Sequence, residues 1–249
     1  MKTKKYLSVL VSIGLIWLMI ALSEKITSDI YSVIMYIAFG LILIALFAYQ
    51  TKLRISVINT LLNKMNPVKF LNDYQELDGN KYSDSRYILE AFACILAGDF
   101  FKAEALLKKV NRKKDNAIKA DALSVLCYYF SGNIANVKAA ITDLKFHTAA
   151  QPEKYNNYLY FSMLIDTLIS GEAVDAQICE KYFNSIQKKN FAEVYVANYI
   201  IGEAKLMLND TENALMIFEN IEKSNCNNTI LYTKAIVKIN EIKNQETSR

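Results

Sequence analysis

The sequence predicts an all-α protein: two membrane-crossing helices, then an array of about four helical hairpins with a capping helix. Three observations predict it. Gly and Pro are scarce, 7 and 2 in 249 residues, which disfavours a turn-rich β architecture. Apolar residues reach 53%, more than a soluble domain needs, and two uncharged runs lie within the first fifty positions. From residue 83 onward, apolar helical segments are cut by short polar turns spaced 34 to 39 residues apart.

The first element covers residues 1–50. Tyr6–Leu22 and Ile30–Tyr49 carry no charge. At about 1.5 Å per residue they reach roughly 25 and 30 Å, near the thickness of the bilayer core. The first run also has the basic start and the small-residue site (Ala21-Leu22-Ser23) of a secretory signal, but its apolar stretch exceeds a signal core. An uncleaved transmembrane hairpin is therefore expected. Lys2, Lys4 and Lys5 precede it, Lys52 and Arg54 follow it, and only Lys25 lies in the connection. That bias puts both termini in the cytoplasm. Neither run holds an ionisable residue, so the pair reads as an anchor rather than an ion path.

Residues 51–82 form a linker. Leu53, Val57, Ile58, Leu61, Leu62 and Met65 share one helical face, with Lys52, Arg54 and Lys64 among the remainder. Two readings stand: an amphipathic helix in the lipid headgroup layer, or the first helix of the domain that follows. Asn66-Pro67 marks a break, and Asp78-Gly79 ends the short segment after it.

Residues 83–249 hold the hairpins. Their turns are Gly98-Asp99, Gly132-Asn133, Gly171-Glu172 and Asn209-Asp210. Gly or Asn suits the left-handed residue that ends a helix. The polar residue beside it suits the positive start of the next. Five positions after each turn residue stand Ala103, Val137, Ala176 and Ala214. Leu107, Ile141, Glu180 and Phe218, then Val110, Leu144, Phe183 and Ile221, continue the inner seam of each second helix, with Glu180 out of pattern. The amphipathic stretch Thr229–Lys243 is expected to cap the array.

The Gly, polar, then Ala grammar resembles the tetratricopeptide family over residues 84–224. Ala91 and Gly202 match the small residue midway along a first helix, and Tyr128 matches its aromatic. Long units, Glu180 and the missing closing proline depart from that pattern, so a general α-solenoid is the neighbouring reading. The resemblance implies that first helices line a concave, partner-binding groove. Here that lining would be Ile88, Phe92, Ile95, Ala122, Leu126, Tyr129, Phe161, Ile165, Leu168, Tyr199, Glu203 and Leu206. Such a surface suits an amphipathic helix or an extended apolar peptide, unless the short superhelix closes on itself or is filled by the linker or capping helix.

No catalytic, cofactor or metal site is expected. His147, placed in the connection Phe146–Gln151, is the single histidine and cannot build a triad or multi-His metal centre alone. Glu180 and Glu203 are the nearest candidates for unusual carboxylates, both read as groove-lining or solvated. Cys94, Cys127, Cys179 and Cys226 lack metal-knuckle spacing and read as buried thiols. Lys108–Lys114 holds five basic residues in seven, but a net charge of +4 does not support a nucleic-acid partner; a solvated helix end is the first account of the cluster and contact with anionic lipid the neighbouring one. The expected partners are the lipid bilayer and an unidentified protein, in a non-enzymatic scaffold or adaptor. The rival is a regulator whose solenoid binds a peptide or small-molecule signal.

Overall fold

The protein was analysed as a computed structural model, in which residues 29–78, 83–113, 115–187 and 189–247 are described. These residues are all-α, with eleven helices packed pairwise in sequence order. They divide into two units, one holding residues 29–59 and 72–78, the other 60–71 and 83–247. The expected span Tyr6–Leu22 lies outside the described residues.

Helix α1 runs without interruption through Asp29–Leu62, 34 residues. The sequence reading ended the second span at Tyr49 and began a separate linker helix. The helix instead continues, because Lys52 and Arg54 are exposed and their long side chains need no break in the backbone. Its segment Ile37–Leu62 is the one helix among the described residues long and apolar enough to cross a membrane. Leu41, Ile44 and Phe47 stand exposed on it. Toward its end the face changes: Val57, Thr60 and Leu61 are buried. Met65, at φ 50°, turns the chain, and Pro67 opens α2, Pro67–Asp78. Proline fits there because its missing N–H would have no intrahelical partner. Asn66 Oδ1 accepts from the Lys69 N–H at 3.0 Å.

The larger unit holds four helical hairpins. They are α3 Asp84–Ala97 with α4 Phe100–Leu107, α5 Asp115–Ser131 with α6 Ile134–Thr148, α7 Asn156–Ser170 with α8 Ala176–Ile186, and α9 Phe191–Met207 with α10 Thr211–Lys223. Helix α11, Ile230–Thr247, follows. All four expected turn residues take the left-handed conformation: Gly98 at φ 82°, Gly132 at 76°, Gly171 at 71° and Asn209 at 58°. Asn tolerates that region better than most residues with a Cβ, which is why it replaces Gly in the fourth turn. Asp99 and Asn133 then cap α4 and α6 by accepting from the N–H groups of Lys102 and Asn136.

The third hairpin departs from the expected register. Glu172 does not cap α8. The cap is Asp175, which accepts from the Gln177 N–H at 2.8 Å. The turn is three residues longer, so the helix starts at Ala176 and its seam moves two to three positions onward. Ala176, Glu180 and Phe183 are exposed; Cys179, Tyr182 and Ile186 are buried in their place. In the other hairpins Ala103, Val137 and Ala214 are fully buried, and the seam residues Leu107, Ile141, Phe218, Val110, Leu144 and Ile221 are buried as expected.

The first helices pack in a row, α3 on α5, α5 on α7, α7 on α9. Helix α11 covers α10, touches α9 and reaches α3. At that contact Ile230 Cδ1 lies 3.9 Å from where a Cβ on Gly98 would stand. The buried stripe Leu231, Ala235, Ile239 and Ile242 drives this docking.

Candidate functional site: a cleft on the first helices

The row of first helices presents two neighbouring features. The first is a cavity of about 380 Å³, reached from the starts of α3, α5, α7 and α9. Its apolar wall includes Leu62, Ile88, Leu89, Phe92, Leu123, Leu126, Phe161, Ile186 and Val196. Ser85, Asn116, Lys119, Asn157, Tyr158, Asn190 and Glu193 supply polar groups. Mostly apolar walls with a few polar groups, at this volume, are the usual makeup of a ligand cleft.

Several of the polar groups have a structural origin. Asn190 is the N-cap of α9: its Oδ1 accepts from the Glu193 N–H at 3.0 Å, and its Nδ2 donates to Glu193 Oε1 at 2.7 Å. Such reciprocal bonding fixes both side chains at the cavity edge. Asp84, at the start of α3, accepts from the Asn111 N–H and from Asn116 Nδ2, tying the starts of α3 and α5 together. Tyr158 is pushed up to about 12, mainly by burial, then by the charges of Glu193 and Asp115. Burial, then Glu193, likewise raises the buried Tyr182, whose ring packs 6.1 Å from Phe161. Both phenols therefore stay protonated donors at neutral pH.

The second feature is the other half of the row, which α11 covers. Glu203 on α9 accepts from the Tyr129 hydroxyl and, at 3.2 Å, from that of Tyr199. Lys238 of α11 approaches Glu203 Oε1 at 3.6 Å. Lys234 lies over the Phe130 ring at 5.8 Å. Burial first, then the Glu203 charge, raises both Tyr129 and Tyr199. Phenol donors and a lysine thus satisfy a carboxylate only 17% exposed.

Of the lining residues expected from sequence, Ile88, Phe92, Ala122, Leu126 and Phe161 face the cavity. Tyr129, Tyr199 and Glu203 meet beside α11. Ile95 and Ile165 are fully buried between helices, and Leu168 and Leu206 are half-buried away from the cavity wall. Tyr158, from the stretch Tyr155–Tyr160 that the sequence offers as an aromatic, polar contact surface, lines the cavity too; Leu62, Tyr182, Asn190 and Glu193 were not anticipated. The Asn190-x-x-Glu193 capping pattern was the available signal for the last two.

His147 also stands elsewhere than expected. It lies within α6, not in a loop, and its Nδ1 is 2.6 Å from Asp121 Oδ2. Asp121 is almost wholly buried, and Arg112 faces its other oxygen. This triad joins the α4–α5 connection, α5 and α6. It absorbs one cation of the basic cluster 108–114, while Lys108 pairs with Glu104 at 2.8 Å and Lys109 approaches the Tyr87 ring. All four cysteines are free and buried. Among the described residues no group of three His, Cys, Asp or Glu side chains is arranged to hold a metal. No family model, curated protein or solved structure matches the chain.

Proposed function

We propose that the chain is a membrane-anchored, non-enzymatic adaptor. In this reading a transmembrane hairpin holds a tetratricopeptide-like α-solenoid at the cytoplasmic face, and the solenoid binds a segment of a protein partner. The observation that carries the reading is the cleft: all four hairpins contribute to a single, largely apolar cavity. The four left-handed turns support the repeat assignment. The Lys and Arg bias around residues 1–54 supports the cytoplasmic placement. Tethering gives such a cleft a high effective concentration toward other membrane proteins.

The mostly apolar wall suits an extended apolar peptide or one apolar face of an amphipathic helix. A second reading, a small-molecule sensor, draws on the same volume, which lies at the low end of the range of about 300–1,000 Å³ for small-ligand sites.

A photo-crosslinking amino acid at Leu89, in the full chain in native membranes, tests the adaptor. A discrete protein adduct should form and disappear when Leu123→Trp fills the cavity. An adduct indifferent to Leu123→Trp, or trapping of lipid alone, overturns it. Small-molecule displacement of an otherwise empty crosslink favours the sensor. For topology, a C-terminal reporter active only outside the cell should stay silent.

A further inference from the structure

One wall of the cavity carries a chemical preference that the rest lacks. Glu193 lines it with Tyr158, Phe161 and Tyr182, all contributed by α7, α8 and the start of α9. Glu193 is exposed, and among the described residues its side chain bonds to Asn190, an amide, through Oε1. Several other carboxylates on first helices are answered by cations: Glu90 by Arg86 at 2.8 Å, Asp121 by Arg112 and His147, Glu203 by Lys238; Asp84, like Glu193, meets amide groups instead. Glu193 has no ion-pair partner among the described residues, and Tyr158, Phe161 and Tyr182 line the same cavity. A carboxylate next to aromatic rings attracts a cation twice, through charge and through the ring quadrupole. Lys119 also lines the cavity, but on α5, with α7 packed between it and α9.

We infer that this wall receives a Lys or Arg side chain, and that the occupant is an apolar-basic segment flanking a transmembrane helix of another membrane protein. The inference rests on the adaptor reading above. Positively charged residues collect at the cytoplasmic ends of membrane spans. A cytoplasmic cleft tethered to the bilayer therefore meets apolar residues followed by Lys or Arg more often than any other segment. The apolar wall with Phe92 and Leu126 takes the first part; Glu193 and the tyrosines take the cation.

The experiment uses the full chain in phosphatidylcholine nanodiscs, with empty nanodiscs as reference, and titration calorimetry. The probes are acetyl-Leu-Leu-Phe-Lys-Lys-amide and its counterpart with both Lys replaced by Gln. The Lys peptide should bind about tenfold more tightly, the combined scale of one partly exposed ion pair and one cation–π contact. Added salt should reduce that preference. Glu193→Gln should erase it while keeping the helix-start geometry, since Gln serves in the same capping position; unchanged circular dichroism checks the fold. Lys119→Gln should leave the preference in place. Equal affinity for both peptides overturns the cation assignment and leaves the cleft reading standing. A preference that survives Glu193→Gln overturns the assignment too. Binding of neither peptide overturns both.

Discussion

Gly202, midway along α9, gives the sharpest test of the hairpin packing. A Cβ there would meet Phe218 Cε1 and Cζ at 2.8 Å each and Ile217 Cγ2 at 3.3 Å. Carbon atoms in ordinary contact stand about 3.5 Å apart or more, so the ring must retreat by about 0.7 Å. It has little room. Phe218 is fully buried, its ring 5.6 Å from that of Tyr199, which stands edge-on to Phe130 at 5.6 Å. Two effects oppose in Gly202→Ala. Alanine gains about 1 kcal/mol of helix propensity. Overpacking a core costs about 1–3 kcal/mol, and a rigid ring struck at two atoms belongs in the upper half of that range. The net is a loss of about 1–2 kcal/mol, or a Tm lowered by about 2–8 °C in a chain of this size. Thermal unfolding of the full chain in detergent, followed by circular dichroism, measures it. Phe218→Leu in the Gly202→Ala background should cost less than in the parent, with a coupling of about 1 kcal/mol. A Tm at or above the parent's, or strict additivity of the two changes, refutes the packing argument.

Arg112→Met leaves Asp121, 1% exposed at its side chain, facing His147 alone; because Arg112 is 39% exposed, the cost should be about 2 kcal/mol, below that of breaking a fully buried pair. Asp121→Asn should cost less, about 1 kcal/mol, since both basic partners reach solvent; urea unfolding giving the reverse order would falsify this account. Burial, above all, pushes the Cys94 and Cys127 thiols up to about 11 from an ordinary 9.0. A disulfide reagent at pH 8 should therefore react slowly with the native chain and at four sites once it is unfolded, and native reaction at the unfolded rate would contradict the burial. The sign for stability follows: between pH 9 and 11 the unfolded chain sheds protons that the folded chain keeps, so stability falls as pH rises through that window. Deleting Glu172, Ala173 and Val174 joins Gly171 directly to the cap Asp175, reproducing the grammar of Gly98-Asp99. The shortened chain should fold with a Tm only a few degrees lower, from the lost burial of about one valine, and failure to fold would show the register of α8 to be wrong.

What was legible in the sequence is what local chemistry decides. Left-handed turn residues, caps and the buried seams of three hairpins each depend on residues within a few positions. So does the start of α2 at Pro67. Misreadings arose where distant partners decide. His147 looked like a loop residue because its partner Asp121 lies 26 positions away. Lys52 and Arg54 looked like the end of a span, although exposed cations interrupt hydropathy without interrupting a helix. For the half of the first-helix row holding Tyr129, Tyr199 and Glu203, the sequence leaves both an open groove and one filled by the capping helix, because nothing near those residues announces that α11 returns to lie over them.

The third hairpin joins these two kinds of information. Its turn glycine was read correctly and its cap was not, because Glu172 and Asp175 both follow Gly171 and only the fold selects between them. Selection goes to the register that buries apolar surface. A helix capped at Glu172 would turn Glu180 inward, and a buried carboxylate without a partner costs several kcal/mol. Capping at Asp175 turns Cys179, Tyr182 and Ile186 inward instead. That choice also builds the cleft. Tyr182 and Ile186 reach the cavity only in this register, so the departure from the regular repeat supplies the aromatic wall beside Glu193. The residue that looked like a flaw in the pattern, Glu180, is the sequence-level trace of the shift that makes the site.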